Sequence, residues 1–145
     1  MVISIGCDHA GVGLKALIAE ELKGLGHEVV DRGTHTTDSI DYPDYAAAVA
    51  ADVAGDSATL GVLICGTGQG MAMAANKVKG IRAAVCADTF SAAATRGHNN
   101  ANILCIGERV VGAGLALELV RTFVSTEFEG GRHQRRVNKI IALEG

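Results

Sequence analysis

Cys65 leads directly into Gly66-Thr67-Gly68-Gln69-Gly70, so a potential base or nucleophile stands at the head of glycines placed at every second position. Glycines spaced this way let backbone N–H groups converge on one point without Cβ interference, which makes a cradle for an anion. The aliphatic run before the cysteine, from Leu60, reads as a buried parallel strand. Met71–Lys79 reads as a helix whose N-terminal dipole points at the same spot. A thiol at the rim of that cradle lies in positive potential, which favours thiolate. A base beside an oxyanion site is the equipment for moving a proton next to a carbonyl.

Other polar residues bear on that chemistry. Asp8 and His9 follow the first apolar run. An Asp helix cap beside a solvent-facing His is the plain reading, but their place among the other strand ends favours a ligand role. His98-Asn99-Asn100-Ala101-Asn102 is a polar loop before an apolar strand, and a histidine there, facing the cradle, can serve as a general acid near neutral pH. His27 and His35 lack such neighbours and read as surface residues. Glu129-Gly-Gly-Arg132-His-Gln-Arg135-Arg136 sets three arginines after a diglycine, at a helix start where cations oppose the dipole. Arg132 and Arg136 share a helical face and would together grip a phosphate. Cys7, Cys86 and Cys105 read as small core residues. Gly11-Val-Gly13-Leu-Lys-Ala16, with Asp31 downstream, fits the loose dinucleotide fingerprint. Its first glycine does not directly follow a strand, however, so a turn and close helix packing are preferred.

The elements that must position these residues alternate. Strands are expected at Val2–Gly6, His27–Asp31, Leu60–Cys65, Ile81–Cys86 and Asn102–Ile106. Helices are expected at Gly13–Gly24, Pro43–Ala54, Met71–Lys79, Thr89–Arg96, Ala113–Ser125 and Arg132–Leu143, with Thr34–Asp41 a loop. That alternation predicts an α/β fold, a three-layer Rossmann-like sandwich around a five-stranded parallel sheet. Ligands in such folds bind beyond the carboxyl ends of the strands. Those ends carry Cys7-Asp8-His9, Cys65-Gly66-Thr67, Cys86-Ala87-Asp88 and Gly107-Glu108-Arg109.

Composition narrows the class. The chain has 145 residues, enough for one domain over 1–145. At 48% hydrophobic and 3% aromatic, without Trp, its core must be aliphatic and alanine-rich. A net charge of −3 argues against a broad nucleic-acid surface. The four cysteines show no C-x-x-C pairing and no histidine spacing suited to zinc, so they read as reduced thiols of a cytoplasmic protein without a metal. No long apolar segment or charged leader marks the chain for a membrane or export.

Taken together, Gly6-Cys-Asp-His-Ala-Gly11, Asp41-Tyr-Pro43, Cys65-Gly-Thr-Gly-Gln-Gly70, Ala75-Asn-Lys77, Gly80-Ile-Arg82-Ala, His98-Asn99, Arg109-Val-Val-Gly112 and Glu129-Gly-Gly-Arg-His-Gln-Arg-Arg136 resemble the type B ribose-5-phosphate isomerases, in register over nearly the whole chain. The wider family includes galactose-6-phosphate isomerase subunits. The resemblance implies interconversion of ribose 5-phosphate and ribulose 5-phosphate, in the pentose phosphate pathway, without a metal or organic cofactor. It implies that Cys65 moves a proton between C1 and C2 through an enediolate held by the amides of Gly66, Thr67, Gly68, Gln69 and Gly70, with Thr67 assisting. It assigns furanose opening to His98 with Asp8, phosphate binding to His9, Arg132 and Arg136, and sugar or phosphate contacts to Arg109 and Asn99. It further implies a homodimer or tetramer whose site mixes residues of two subunits, with the C-terminal helix packed on the partner. One branch of the family uses a glutamate where this chain has Met71, and methionine is no base, which puts this chain in the cysteine branch. Two alternatives stand beside this reading: an isomerase of allose 6-phosphate, galactose 6-phosphate or another aldose phosphate, and a non-catalytic phosphosugar-binding module. The presence of both Cys65 and His98 speaks against the second, since a pure binder needs neither.

Overall fold

In a computed structural model of Met1–Gly145, strands and helices alternate as β1 (Val2–Cys7), α1 (Val12–Gly24), β2 (Glu28–Asp31), α2 (Tyr42–Ala54), β3 (Leu60–Cys65), α3 (Gln69–Ala75), β4 (Ala83–Val85), α4 (Thr89–Gly97), β5 (Ile103–Gly107), α5 (Ala113–Ser125) and α6 (Arg132–Ala142). All strand pairings are parallel, in the order β2-β1-β3-β5-β4. The chain turns back between β1 and β3, which opens a crevice at their carboxyl ends. A second reversal places β5 inside β4.

Right-handed crossovers dictate which face each helix covers. Moves in one direction along the sheet, β1 to β2 and β4 to β5, put α1 and α4 on one face, where α5 joins them. Moves in the other direction, β2 to β3 and β3 to β4, put α2 and α3 on the opposite face. The two cores follow this division. Ile5, Val62, Leu104 and Ile106 pack under Ile18, Leu22, Leu119 and Phe123 on the first face. Leu63, Cys65, Ile103 and Cys105 pack under Val49, Val53, Met71 and Ala75 on the second. Residue alternation along β3 therefore turns Cys65 toward α2 and α3. No helix is long and apolar enough to cross a membrane.

Several boundaries differ from the sequence reading. The third helix begins earlier, at Gln69, and stops at Ala75, short of Lys79. It stops because the Asn76 side chain leaves the helix to pair with the backbone of β4, donating to Ala83 O at 2.9 Å and accepting from Ala83 N at 2.8 Å. The first strand extends through Cys7, the last through Gly107, and β4 is confined to Ala83–Val85. The C-terminal helix α6 buries only His133 and Val137 against its own chain and leaves Ile140 and Ile141 exposed, as is Leu143 just after it.

The fingerprint-like glycines serve packing. A Cβ on Gly11 would stand 2.7 Å from Ile64 Cγ2, so glycine lets the start of α1 lie against β3. Asp31 is engaged by Lys15, whose buried Nζ donates to both carboxylate oxygens at 2.6 and 2.7 Å. That pair gives the first stability test. Asp31→Ala strands a buried ammonium and should cost about 3 kcal/mol or more, while Lys15→Met leaves a carboxylate that still reaches water and should cost less. Urea unfolding of both variants checks the order; a larger loss in Lys15→Met would contradict it.

Candidate active site

The turn after β3 is pressed against the end of β5. Gly68 has φ +81°, the left-handed region that glycine enters without strain. A Cβ at Gly107, the ladder partner of Cys65, would lie 2.7 Å from the Thr67 carbonyl carbon and 2.8 Å from its Cα. Backbone therefore packs on backbone, and the turn has one position. In it, the Gly68 N–H donates to Cys65 Sγ at 3.0 Å and the Gln69 N–H donates to Thr67 Oγ1 at 3.3 Å. The N–H groups of Gly66, Thr67, Gly70 and Met71 have no acceptor within the chain. The cradle expected from Gly66 to Gly70 is thus divided: the Gly68 amide is committed to the sulfur, the Gln69 amide to Thr67, and the remainder are available to an anion.

Burial sets the other three thiols apart. It raises Cys7 and Cys86 to about 11, and raises Cys105 further still, with the neighbouring cysteines adding to the effect. Those three stay protonated at neutral pH. Cys65 is the one cysteine whose sulfur accepts a backbone N–H, and all four are free thiols.

Around the cradle stand Asp8, His9, Arg109 and Tyr42. Asp8 follows β1, is buried, and accepts the Ala10 N–H at 2.9 Å. His9 turns toward the 34–41 loop, where its Nδ1 accepts the Ile40 N–H at 3.4 Å. Arg109 lies across Gly66, with Cδ and Nη1 each 3.6 Å from where a Cβ would be, and has no ion-pair partner. Tyr42 was not singled out in the sequence reading. Its ring leans over Gly70, so closely that a Cβ there would meet it at 2.5 Å. Its only sequence signal is its place in Asp41-Tyr-Pro43. Asp88, although at a strand end, caps α4 by accepting the Ser91 N–H at 2.7 Å and takes no part in the cradle. His35 is exposed as expected, whereas His27 is half-buried, with Nδ1 3.1 Å from the chain's amino group.

Within its own chain, His98 does not face this cradle. It caps the carboxyl end of α4, and α4 runs back against the strand direction to the amino edge of the sheet. There Asn99 O accepts Arg82 Nε at 3.2 Å, and Asn102 ties the beginnings of β3, β4 and β5 together. At about 3.3 Å per strand residue, the two edges are roughly 15–20 Å apart. Arg132 joins His98 at the amino edge: His98 Nε2 is 3.1 Å from Glu129 Oε2, and its ring stacks on His133 with centroids 4.3 Å apart. Arg136 follows one turn along α6. Both arginines are exposed and neither is paired. The site residues thus fall into two groups, Asp8, His9, Cys65 to Gly70 and Arg109 at one edge, and His98, Asn99, Arg132 and Arg136 at the other.

This fold and edge define a class of enzyme with known members. Residues 3–140 match the family model described as Ribose/Galactose Isomerase. The chain is 49% identical to ribose-5-phosphate isomerase B of Escherichia coli over 142 residues, covering 98% of this chain and 95% of that protein. It superposes on the Clostridium thermocellum ribose-5-phosphate isomerase B with a TM-score of 0.98 at 53% identity, covering 99% and 97% of the two chains. A structure of the Mycoplasma genitalium enzyme with bound ribulose-5-phosphate gives 0.95 at 48% identity, covering 99% and 95%. The chain belongs to the ribose/galactose isomerase family.

The contrast among thiols predicts an order of alkylation. Iodoacetamide at neutral pH should modify Cys65 first, followed by peptide mass mapping, and a sugar phosphate should slow that reaction. Earlier modification of Cys7 or Cys86 would contradict the assignment.

Proposed function

We propose that this protein interconverts D-ribose 5-phosphate and D-ribulose 5-phosphate in the cytoplasm, a reducing compartment suited to four free thiols. The observation that carries the proposal is Cys65 Sγ placed beside N–H groups with no other acceptor, at the strand edge of an isomerase family. Cys65 as thiolate takes the proton from C2 of the open-chain aldose. The C–H electron pair becomes the C1–C2 double bond, and the C1 carbonyl becomes an oxyanion. The N–H groups of Gly66, Thr67 and Gly70 stabilise that oxygen, with Thr67 at the mouth. The C2 hydroxyl then passes its proton to the C1 oxyanion, and Cys65 returns the carbon proton to C1 as the C2 carbonyl forms, which gives the ketose and restores the thiolate. Oxyanion donors of this kind contribute about two to three orders of magnitude each.

His98 opens the furanose as general acid, with Asp8 assisting. His9, Arg132 and Arg136 hold the phosphate, and Arg109 and Asn99 contact the sugar or the phosphate. General acid catalysis needs hydrogen-bond reach, so His98 must come from another copy of the chain. Two copies packed so that the amino edge of one meets the carboxyl edge of the other complete the site. The exposed Ile140 and Ile141 of α6, with Leu143 just beyond its end, supply apolar surface for that packing.

The direct test is a coupled assay on ribose 5-phosphate, with allose 6-phosphate and galactose 6-phosphate alongside. Ribose 5-phosphate should have the highest kcat/KM, and Cys65→Ala should reduce turnover by several orders of magnitude with the fold intact. A six-carbon substrate turned over faster would reassign the substrate, and near-normal turnover in Cys65→Ala would sink the mechanism. Arg132→Ala or Arg136→Ala should each raise KM by one to two orders of magnitude, the equivalent of about 1.5–3 kcal/mol for a charge-assisted contact.

A further inference from the structure

His98 is surrounded by residues that the proposed chemistry leaves without a task. Glu129 Oε2 lies 3.1 Å from His98 Nε2, and the parallel ring of His133, tilted by only 7°, covers one face of the imidazole. The backbone arranges this contact. The Glu129 N–H donates to Gly97 O at 3.0 Å, pinning the segment before α6 to the end of α4. Gly97 has no side chain where one would interfere: a Cβ there would stand 2.7 Å from Glu129 Oε2. Gly130 and Gly131, with φ +65° and +55°, then turn the chain so that His133 meets the histidine ring.

The geometry points to Glu129 as a positioning residue that fixes the tautomer and orientation of His98, a proposal that rests on His98 being the ring-opening acid. The negative charge 3.1 Å from Nε2 favours the hydrogen on that nitrogen, which leaves Nδ1 to receive and return the substrate proton. A carboxylate holding the far side of a catalytic imidazole is a general means of setting which nitrogen works. The same three side chains have donor atoms within 4.8 Å of one another, a spacing that invites a divalent ion. Stacked rings, however, aim their lone pairs side by side instead of converging. Burial foremost, then His98 and Arg132, also disfavour positive charge at His133. The cluster therefore holds a ring in place.

The test combines spectroscopy with kinetics in the full-length enzyme. Long-range nitrogen–proton correlation spectra at alkaline pH, where imidazole is neutral, read the His98 tautomer directly. The wild type should show Nε2–H, Glu129→Ala should lose that preference, and Glu129→Gln, which keeps an acceptor, should retain it. Gly97→Ala should displace the carboxylate and reproduce the effect of Glu129→Ala. Initial rates at saturation should fall about tenfold or more from ribose 5-phosphate in Glu129→Ala, but much less from ribulose 5-phosphate, which has no furanose to open. Glu129→Gln should recover most of the loss. An unchanged tautomer in Glu129→Ala, or equal losses in both directions, would overturn the role of Glu129. The underlying reading fails separately: if His98→Asn shows no directional loss, His98 is not the ring-opening acid, whatever the spectra show about Glu129.

Discussion

Strand polarity is the constraint on which this structure turns. Every strand pairing is parallel, so each helix that connects two strands, α1 to α4, must return the chain from the carboxyl edge to the amino edge. A residue ending a strand and a residue ending a helix are thereby held on opposite sides of the sheet. Cys65 ends β3 and His98 ends α4, and no adjustment of side chains can bring them together within one chain. The proposed joint use of Cys65 and His98 in one reaction therefore calls for a second copy on topology alone. The same polarity places Arg132 and Arg136, at the start of α6, with His98 instead of with the cradle.

At the carboxyl edge, the chemistry depends on backbone packing on backbone. Gly107 admits the Thr67 main chain, Gly68 takes a left-handed conformation, and Gly70 makes room for Tyr42. Each contact removes a degree of freedom from the turn that carries the free N–H groups. One amide, that of Gly68, is spent on the sulfur. The turn thus fixes the position of the sulfur and leaves the N–H groups of Gly66, Thr67 and Gly70 beside it without an acceptor in the chain.

How legible this was depended on sequence separation. The cradle could be read because its parts are contiguous: an aliphatic strand, a cysteine and alternating glycines announce their geometry locally. The fold could be read for the same reason, since strand and helix patterns alternate without interruption. The helix after the cradle was read too long because Asn76 continues the helical pattern, and only its pairing with Ala83, across the turn into β4, ends it. The residue type of His98 marks it as an acid–base candidate, while its place in a polar loop before a parallel strand puts it at the amino edge of its own chain. Tyr42 against Gly70 and Glu129 against His98 are contacts between residues about thirty apart in sequence, joined only by tertiary packing.

The central claim, that each site takes its base from one chain and its acid and arginines from another, is tested most directly by subunit complementation. Cys65→Ala chains and His98→Asn chains, each inactive from ribose 5-phosphate, are mixed in equal amounts, unfolded and refolded together, and assayed from that sugar. A hybrid dimer then carries one site with both residues intact, and binomial mixing predicts recovery of up to about a quarter of wild-type activity. No recovery in any mixture, with hybrids shown to form, would place both residues in the same site of a single chain and contradict the account.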